Sequence, residues 1–409
     1  MESYWSGIFR KTLTIILAGG RGERLYPLTQ PRSKPSVPFG GMYRIIDFTM
    51  SNCVNSGFRR IYLATQYKSQ SLDEHLHKGW NIFSAEMDEF IYAVPPQQRY
   101  RDKWYSGTAD AIFQNLNLLG KHRPEHVLIL SGDHIYKMDY SKLLYFHVDN
   151  EADVTVSTIP VPKEEAGRFG VCGINDNQEI IQFQEKSDNP MEIPSRPGWC
   201  LGSMGVYIFK TDVLAHEVSK DAKTDSKHDF GADILPKMLN NRRVFAFAFE
   251  DENKKKKSYW RDIGTLDSYF EASMDLVSVN PEFNLYDDDW PIRTYHPQKP
   301  PAKSVWRGGD RHGQIIESLV CNGTIVSGGT VVNSLLSPGV RVNSYSHIDQ
   351  CILLNDVDVG RGSRLKRVII DKRVKVPEHT VIGYDLEEDK KHFVVTENGI
   401  VVIPKDYVF

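Results

Sequence analysis

The chain has 409 residues, 50 Lys+Arg against 53 Asp+Glu and a formal charge of −3, with 40% hydrophobic, 11% aromatic and 25% charged residues. That length predicts two or three domains, and the ordinary globular composition excludes wholesale disorder. The near-zero charge argues against a dedicated nucleic-acid binder, which carries a basic excess.

Five cysteines (Cys53, Cys172, Cys200, Cys321, Cys351) are odd in number and widely separated, with no CxxC or Cys/His cluster. Neither a structural zinc site nor a disulfide framework is expected, and a reducing compartment fits. The opening MESYWSGIFRK has no apolar signal core, and no run approaches 18 apolar residues. A cytoplasmic protein without membrane contact is therefore expected.

In chain order, TLTIILA (Thr12–Ala18) reads as a buried strand that runs straight into GGRG. A helix follows over 47–56, with Asp47 as N-cap and Gly57 past its end. Strands are read at 60–64, 126–130, 154–159 and 203–209, and a helix at 108–119 between Gly107 and Gly120. Strands alternating with helices over the first 280 residues predict an α/β domain with a mostly parallel, Rossmann-like sheet. From 281 to 312 five prolines (Pro281, Pro291, Pro297, Pro300, Pro301) and a GGD turn break the pattern, and this stretch is read as a linker.

From 313 to 409 apolar residues recur at Val320, Val326, Val332, Val342, Ile348, Leu354, Val359, Leu365, Ile370, Val376 and Ile382. The step is six, with occasional slips to five and one longer gap at 333–341 that is read as a loop. A six-residue repeat with Gly and Asn in the steps is the signature of a parallel β-helix.

Two segments carry chemistry. In an open α/β sheet, ligands bind beyond the carboxyl ends of the strands. Leu17 to Pro35 leaves the first strand with Gly19, Gly20 and Gly22 and the cations Arg21, Arg24, Arg32 and Lys34. A Gly-rich loop alone is often only a tight turn. Four cations in the same loop point to a polyphosphate, although the pattern is neither the Walker nor the dinucleotide fingerprint. In LSGDHIYKMD, Asp133 follows a buried strand, where a carboxylate either caps a turn or holds Mg²⁺ through oxygen. Beside a polyphosphate loop the metal role prevails, with Asp262 in YWRDIGT as a plausible second ligand. His134 reads as a packing histidine, since adjacent strand residues face opposite sides. KKKK at 254–257 reads as a solvated turn.

GGRGERLYPLT with Lys34-Pro35 downstream resembles the signature of the sugar-nucleotide pyrophosphorylases, the sugar-1-phosphate nucleotidylyltransferases. The resemblance continues in order through FGGMYRIIDFTMSNCVNSG, WYSGTADAI, SGDHIYKMDY, FGV, FQEK, SMGVYIF, HDFG, YWRDIGT and WPIRTY, so it covers nearly the whole chain. Within the family it is similar to members that join ATP and glucose 1-phosphate, with Mg²⁺, to give ADP-glucose and pyrophosphate. It implies that the β-helix is left-handed and serves assembly and regulation. Arg24, Lys34 and Asp133 would be catalytic, with Asp133 and Asp262 on the metal. Leu17, Ala18, Gly19, Gly20, Gln66, Gly107 and Thr108 would contact the nucleotide.

For glucose 1-phosphate the resemblance implies Tyr105, Gly170, Glu185, Lys186 and Ser203. Taken alone, Glu185-Lys186 is a solvated strand end and Ser203 a turn residue. Ser187 stands where the family usually has Pro. The family is typically tetrameric and regulated by anionic metabolites, which implies a homotetramer and effector contacts at Arg32, Arg44 and Lys372. Each of these is also read as a solvated cation, and Pro31 and Pro38 replace two positions that are basic in some members. Three rival readings stand beside this one. They are a relative using UTP, dTTP or GTP, a catalytically silent regulatory subunit, and an acyltransferase β-helix with His347 as its one candidate base.

Overall fold

TLTIILA carries no charged or exposed residue because both faces of the strand it forms are covered, as in a parallel sheet sandwiched between helices. The computed structural model describes residues 7–97, 104–255, 258–309 and 311–409. Nine strands make the main sheet. They are β1 (Thr12–Ala18), β2 (Arg60–Thr65), β3 (Phe90–Val94), β4 (His126–Ser131), β5 (Val154–Pro162), β6 (Gly170–Ile174), β7 (Ile180–Glu185), β8 (Trp199–Lys210) and β9 (Val244–Ala248).

The order is β7-β6-β8-β4-β1-β2-β3, with β5 beside β8 and β9 beside β5. β4, β1, β2 and β3 are parallel neighbours, as expected for an α/β domain. The long β8 runs antiparallel to β4, β5 and β6, and its register slips between Ser203 and Tyr207. Gly205 sits in that bulge at φ 70, the left-handed region that glycine enters without strain.

Several expected boundaries move. The first helix, α1 (Ile45–Asn55), starts earlier than read. Asp47 is therefore inside its first turn, where its carboxylate accepts the Arg44 N–H at 2.8 Å. The buried Asp47 also accepts from His75 Nε2 (2.6 Å), Trp80 Nε1 (2.8 Å) and Thr294 Oγ1 (2.7 Å). The helix read over 108–119 is two, α2 (Thr108–Phe113) and α3 (Leu116–His122), and Gly120 lies inside the second. All five cysteines are free and buried.

The proline-rich stretch is pinned along α1. Trp290 Nε1 donates to Asn52 Oδ1 at 2.9 Å, the Arg293 N–H to Ser51 Oγ at 2.8 Å, and the buried Lys137 to Asp287 at 2.8 Å. Its strand Lys303–Val305 already pairs with Ile325–Ser327 in the first rung of the β-helix.

Three stacks of short parallel strands form that helix. The residues stacked inside differ from the reading at two places. Val331, not Val332, lies over Ile348, and Leu353, not Leu354, joins Leu336 to Ile370. The gap read as a loop contains the buried strand Leu335–Leu336, whose Leu336 restores the missing inward position. With these residues in place the first coil steps six, five and five and the following ones six, six and five, each a coil of three sides.

One of the three stacks is buried on both faces. Its inner residues Leu336, Leu353 and Ile370 fill the β-helix, while Leu335, Ile352, Ile369 and Val402 join a core cluster with Phe39, Phe270 and Leu276 of the first domain. The helix α4 (Leu266–Val277) is the main partner across this boundary. Polar contacts fix the register of the two domains. Ser337 Oγ donates to the Gly41 carbonyl at 2.7 Å, Thr396 Oγ1 to Asp267 at 2.8 Å, and Arg32 Nη2 to Asp371 at 3.1 Å.

Arg32 and Asp371 are 3% and 0% exposed, so neither charge has water to fall back on. Arg32→Met is expected to cost about 3–5 kcal/mol by leaving a buried carboxylate alone. Thermal unfolding checks this: the apparent Tm should fall in the single variant and largely recover in Arg32→Met/Asp371→Leu.

Candidate active site

The glycine loop leaves the carboxyl end of β1 and crosses directly over Lys34. Gly22 has φ 65, and a Cβ there would stand 2.8 Å from the Lys34 Cβ and 3.1 Å from Thr29. Thr29 Oγ1 closes the loop on the Gly22 carbonyl at 3.0 Å. Lys34 opens a tight buried turn, Lys34–Ser36, and its side chain is only 8% exposed. Its Nζ donates to Asp133 Oδ2 at 2.8 Å and to Asp262 Oδ1 at 2.7 Å.

A short ribbon brings the two carboxylates together. The strand His134–Tyr136, directly after Asp133, pairs antiparallel with Trp260–Asp262, and Asp262 stands opposite His134. Gly132 makes the bend possible: its N–H binds the Leu17 carbonyl at 3.1 Å, and a Cβ there would press on Ile46 and Ile16. The same bend puts His134 on the Asp133 side, contrary to the expected alternation. Its Nε2 is 3.5 Å from Asp133 Oδ1, and its ring packs on Trp260.

Burial opposes ionisation of Asp133. His134, the Lys34 ammonium and the Ser131 hydroxyl overcome it and hold the carboxyl well below the usual range. Burial likewise works against the Lys34 charge, and the two carboxylates outweigh it, raising its pKa. Burial lowers the pKa of His134, and the two carboxylates partly offset this. Asp133, His134 and Asp262 present ligand atoms within 4.8 Å of one another. Two carboxylates are the hard oxygen donors that Mg²⁺ selects.

These groups open into a cleft of about 810 Å³. Of the expected residues, Leu17, Arg24, Thr108, Gly170, Glu185, Lys186, Ser203 and Asp262 line it. Arg24 lies at the Asp262 end: a Cβ on Gly264 would be 3.1 Å from both Arg24 Nη2 and Asp262 Oδ2. At the other end, the Glu185 carboxylate lies close over Gly170 and Gly231, where a Cβ would come within 2.8 and 2.3 Å of it. Burial raises the pKa of Glu185, and Lys186, 3.3 Å away, partly offsets this. Ser203 and Tyr207 bracket the β8 bulge and approach each other at 3.5 Å.

Thr108 stands on the far wall, while Gln66, Gly107 and Tyr105 lie behind the lining residues. The Gln66 carboxamide accepts the Tyr105 N–H at 2.6 Å, which clamps that loop, and the Tyr105 hydroxyl accepts from Asn115 at 2.9 Å. Thr108 Oγ1 donates to Asp229 Oδ2 at 3.0 Å and accepts the Phe230 N–H at 3.0 Å. Ala18, Gly19 and Gly20 continue from β1 into the loop. Asp229, Tyr207 and Trp260 also line the cleft with no role read from sequence, as does His134, read there as a packing residue; HDFG was the one signal that pointed at Asp229.

Arg32, Arg44 and Lys372 lie away from the cleft, grouped at the domain boundary. Arg32 is taken by Asp371, while Arg44 and Lys372 are half-buried. Burial and the neighbouring guanidinium groups lower Lys372 to about 7, and burial lowers Arg44 to about 10.

A nucleotidyl transferase family model matches residues 13–279, and a GlmU-like C-terminal hexapeptide model matches residues 300–403. A glucose-1-phosphate adenylyltransferase of Rhodopirellula baltica is 51% identical over 97% of this chain and 91% of its own length. One from Koribacter versatilis is 52% identical, covering 97% and 96%. Glucose-1-phosphate adenylyltransferase 2 of Vibrio cholerae is 49% identical, covering 97% and 98%. The chain belongs to the glucose-1-phosphate adenylyltransferase family. The hexapeptide match agrees with the left-handed β-helix expected from the repeat. Among the described residues no helix is long and apolar enough to cross a membrane.

Within this member of the adenylyltransferase family, Gly107 leaves no room for a side chain. A Cβ would stand 2.3 Å from the carbonyl oxygens of both Lys227 and His228. Gly107→Ala is expected to displace Thr108 and lower kcat/KM by roughly 100-fold, the scale of a 1 Å misplacement. Steady-state kinetics beside an unchanged circular dichroism spectrum checks this, and near-wild-type kinetics would contradict it.

Proposed function

We propose that this chain transfers the adenylyl group of ATP to glucose 1-phosphate in the cleft, giving ADP-glucose and pyrophosphate, the activated-glucose step of glycogen or starch synthesis. The observation that carries the reading is the Lys34–Asp133–Asp262 constellation beneath a glycine loop at the carboxyl end of β1 and β4. A phosphate oxygen of glucose 1-phosphate attacks the α-phosphorus, and the bond from that phosphorus to the bridging oxygen breaks as pyrophosphate leaves. Such a displacement needs alignment and charge compensation more than proton transfer.

The loop N–H groups of Gly19 and Gly20, with Leu17 and Ala18 behind them, cradle the triphosphate, and Arg24 and Lys34 offset its charge. Thr108, with Gln66 and Gly107 behind it, would contact the nucleotide. Glu185 accepts from sugar hydroxyls, and Lys186 is a point charge for the sugar phosphate. Gly170, Ser203 and Tyr105 shape that end of the cleft. Asp133 and Asp262 would hold Mg²⁺, which when bound neutralises phosphate charge as Lewis acids do.

The silent-subunit rival would be expected to lack phosphate or metal ligands, and Arg24, Lys34, Asp133 and Asp262 are all present. The acyltransferase rival rests on His347, whose β-helix strand presents it to solvent. Pyrophosphate release with Mg²⁺ and ATP, UTP, GTP or dTTP against a panel of sugar 1-phosphates tests the assignment. Preference for ATP with glucose 1-phosphate is expected. A different preferred pair would move the chain to another specificity, and no turnover with any pair would favour the regulatory subunit.

We also read the Arg44–Lys372 group as the anionic-effector contact of a cytoplasmic homotetramer. The exposed Trp306, Tyr345 and Tyr384, each stacked by an arginine, support the β-helix as its contact surface. Lys372, lowered to about 7, is protonated and attractive to anions below that pH and neutral above it. Sulfate, which does not titrate in this range, should bind more weakly as pH rises through 7, with proton uptake on binding. Titration calorimetry on wild type and Lys372→Met checks this: the variant should lose the pH dependence, and a flat wild-type profile would contradict the assignment.

A further inference from the structure

We propose that Lys34 gates the metal site: its ammonium competes with a divalent cation for Asp133 and Asp262, and yields them only as it moves to substrate phosphate. This rests on the reading of those two carboxylates as metal ligands. The Nζ lies 2.8 and 2.7 Å from one oxygen of each, so two of its three N–H donors are already spent on the pair. Mg²⁺ takes its oxygens at about 2.0–2.1 Å and in strict octahedral geometry. An ammonium held between the same two carboxylates therefore stands within repulsive range of any ion they share. The remaining Asp133 oxygen is engaged as well, by the Ser131 hydroxyl.

The root of Lys34 sits in the buried turn Lys34–Ser36, and Gly22 crosses it so closely that a Cβ there would stand 2.8 Å from the Lys34 Cβ. Beyond the Cβ, flexible methylenes let the Nζ swing. The loop crossing its root is the one whose N–H groups would hold the triphosphate, so the alternative partner for the ammonium is delivered beside it. Metal and nucleotide binding are thereby coupled. The ion binds weakly alone, because it must evict a cation, and tightly once the nucleotide takes that cation over.

Mn²⁺ binding to the full chain without nucleotide, followed by electron paramagnetic resonance, tests this. Removing a positive charge from a site next to a glycine loop would ordinarily be taken to harm it. Here Lys34→Met is expected to bind Mn²⁺ at least tenfold tighter than wild type, and Lys34→Arg, which keeps the charge, to stay near wild type. Lys34→Gln is the second neutral variant should Lys34→Met fold poorly, and Mn²⁺ should raise the Tm of either more than that of wild type. Adding Asp262→Asn to Lys34→Met should abolish the gain. Equal Mn²⁺ affinity in wild type and both neutral variants, with Asp262→Asn still weakening each, would overturn the gate and leave the metal site standing. Tight binding indifferent to Asp262→Asn would overturn the metal site and the gate with it.

Discussion

The structure turns on holding two carboxylates from distant parts of the chain within reach of one another. Side by side in a partly buried cleft, the charges of Asp133 and Asp262 repel. The Lys34 ammonium between them offsets that repulsion, and its own charge survives burial only because the carboxylates are there. Each element around the site serves that arrangement. β4 delivers Asp133, the antiparallel ribbon sets Asp262 opposite His134, and the glycine loop clamps the lysine stem. The triad is thus a preorganised set of charges, which is what a phosphoryl-type displacement requires.

The β-helix is attached to this arrangement by a short path. Asp262, Ile263 and Gly264 lead to Thr265, which caps α4 by accepting the Ser268 N–H. The apolar face of α4 then lies against the doubly buried stack of the β-helix, and Arg32–Asp371 locks the same boundary. A shift of the β-helix would bear on the helix whose first turn adjoins Asp262. The pinned strap does the same from the other side: Lys137, one residue beyond the ribbon strand, is tied to Asp287, and Thr294 is tied to Asp47. Asp47 in turn holds the Arg44 N–H, so one buried carboxylate links the strap to the cation group at the boundary.

Much of this was legible in the sequence where one physical signal dominated. β1 and β4 are continuous apolar runs bounded by glycine, and both stand where they were read. The β-helix phase was misread where two adjacent residues were equally apolar. Val331-Val332 and Leu353-Leu354 each offer two candidates, and only pairing with Ile348 and Ile370 in the next coil selects one. Leu335–Leu336 was lost in a supposed loop because both its residues are apolar, one facing inward and one facing α4. His134 packs on Trp260 as read, but the alternation argument behind that reading fails across a bend. Asp229 was missed because its role comes from Thr108 and the following N–H groups, contacts that appear only once the chain is folded.

The most direct test of the account is the turnover of Asp133→Asn with ATP, glucose 1-phosphate and Mg²⁺, measured as pyrophosphate release beside circular dichroism. The substitution keeps the shape and removes the charge. The account requires kcat to fall by orders of magnitude in a folded protein. Turnover close to wild type would show that the Lys34–Asp133–Asp262 constellation is not the catalytic centre.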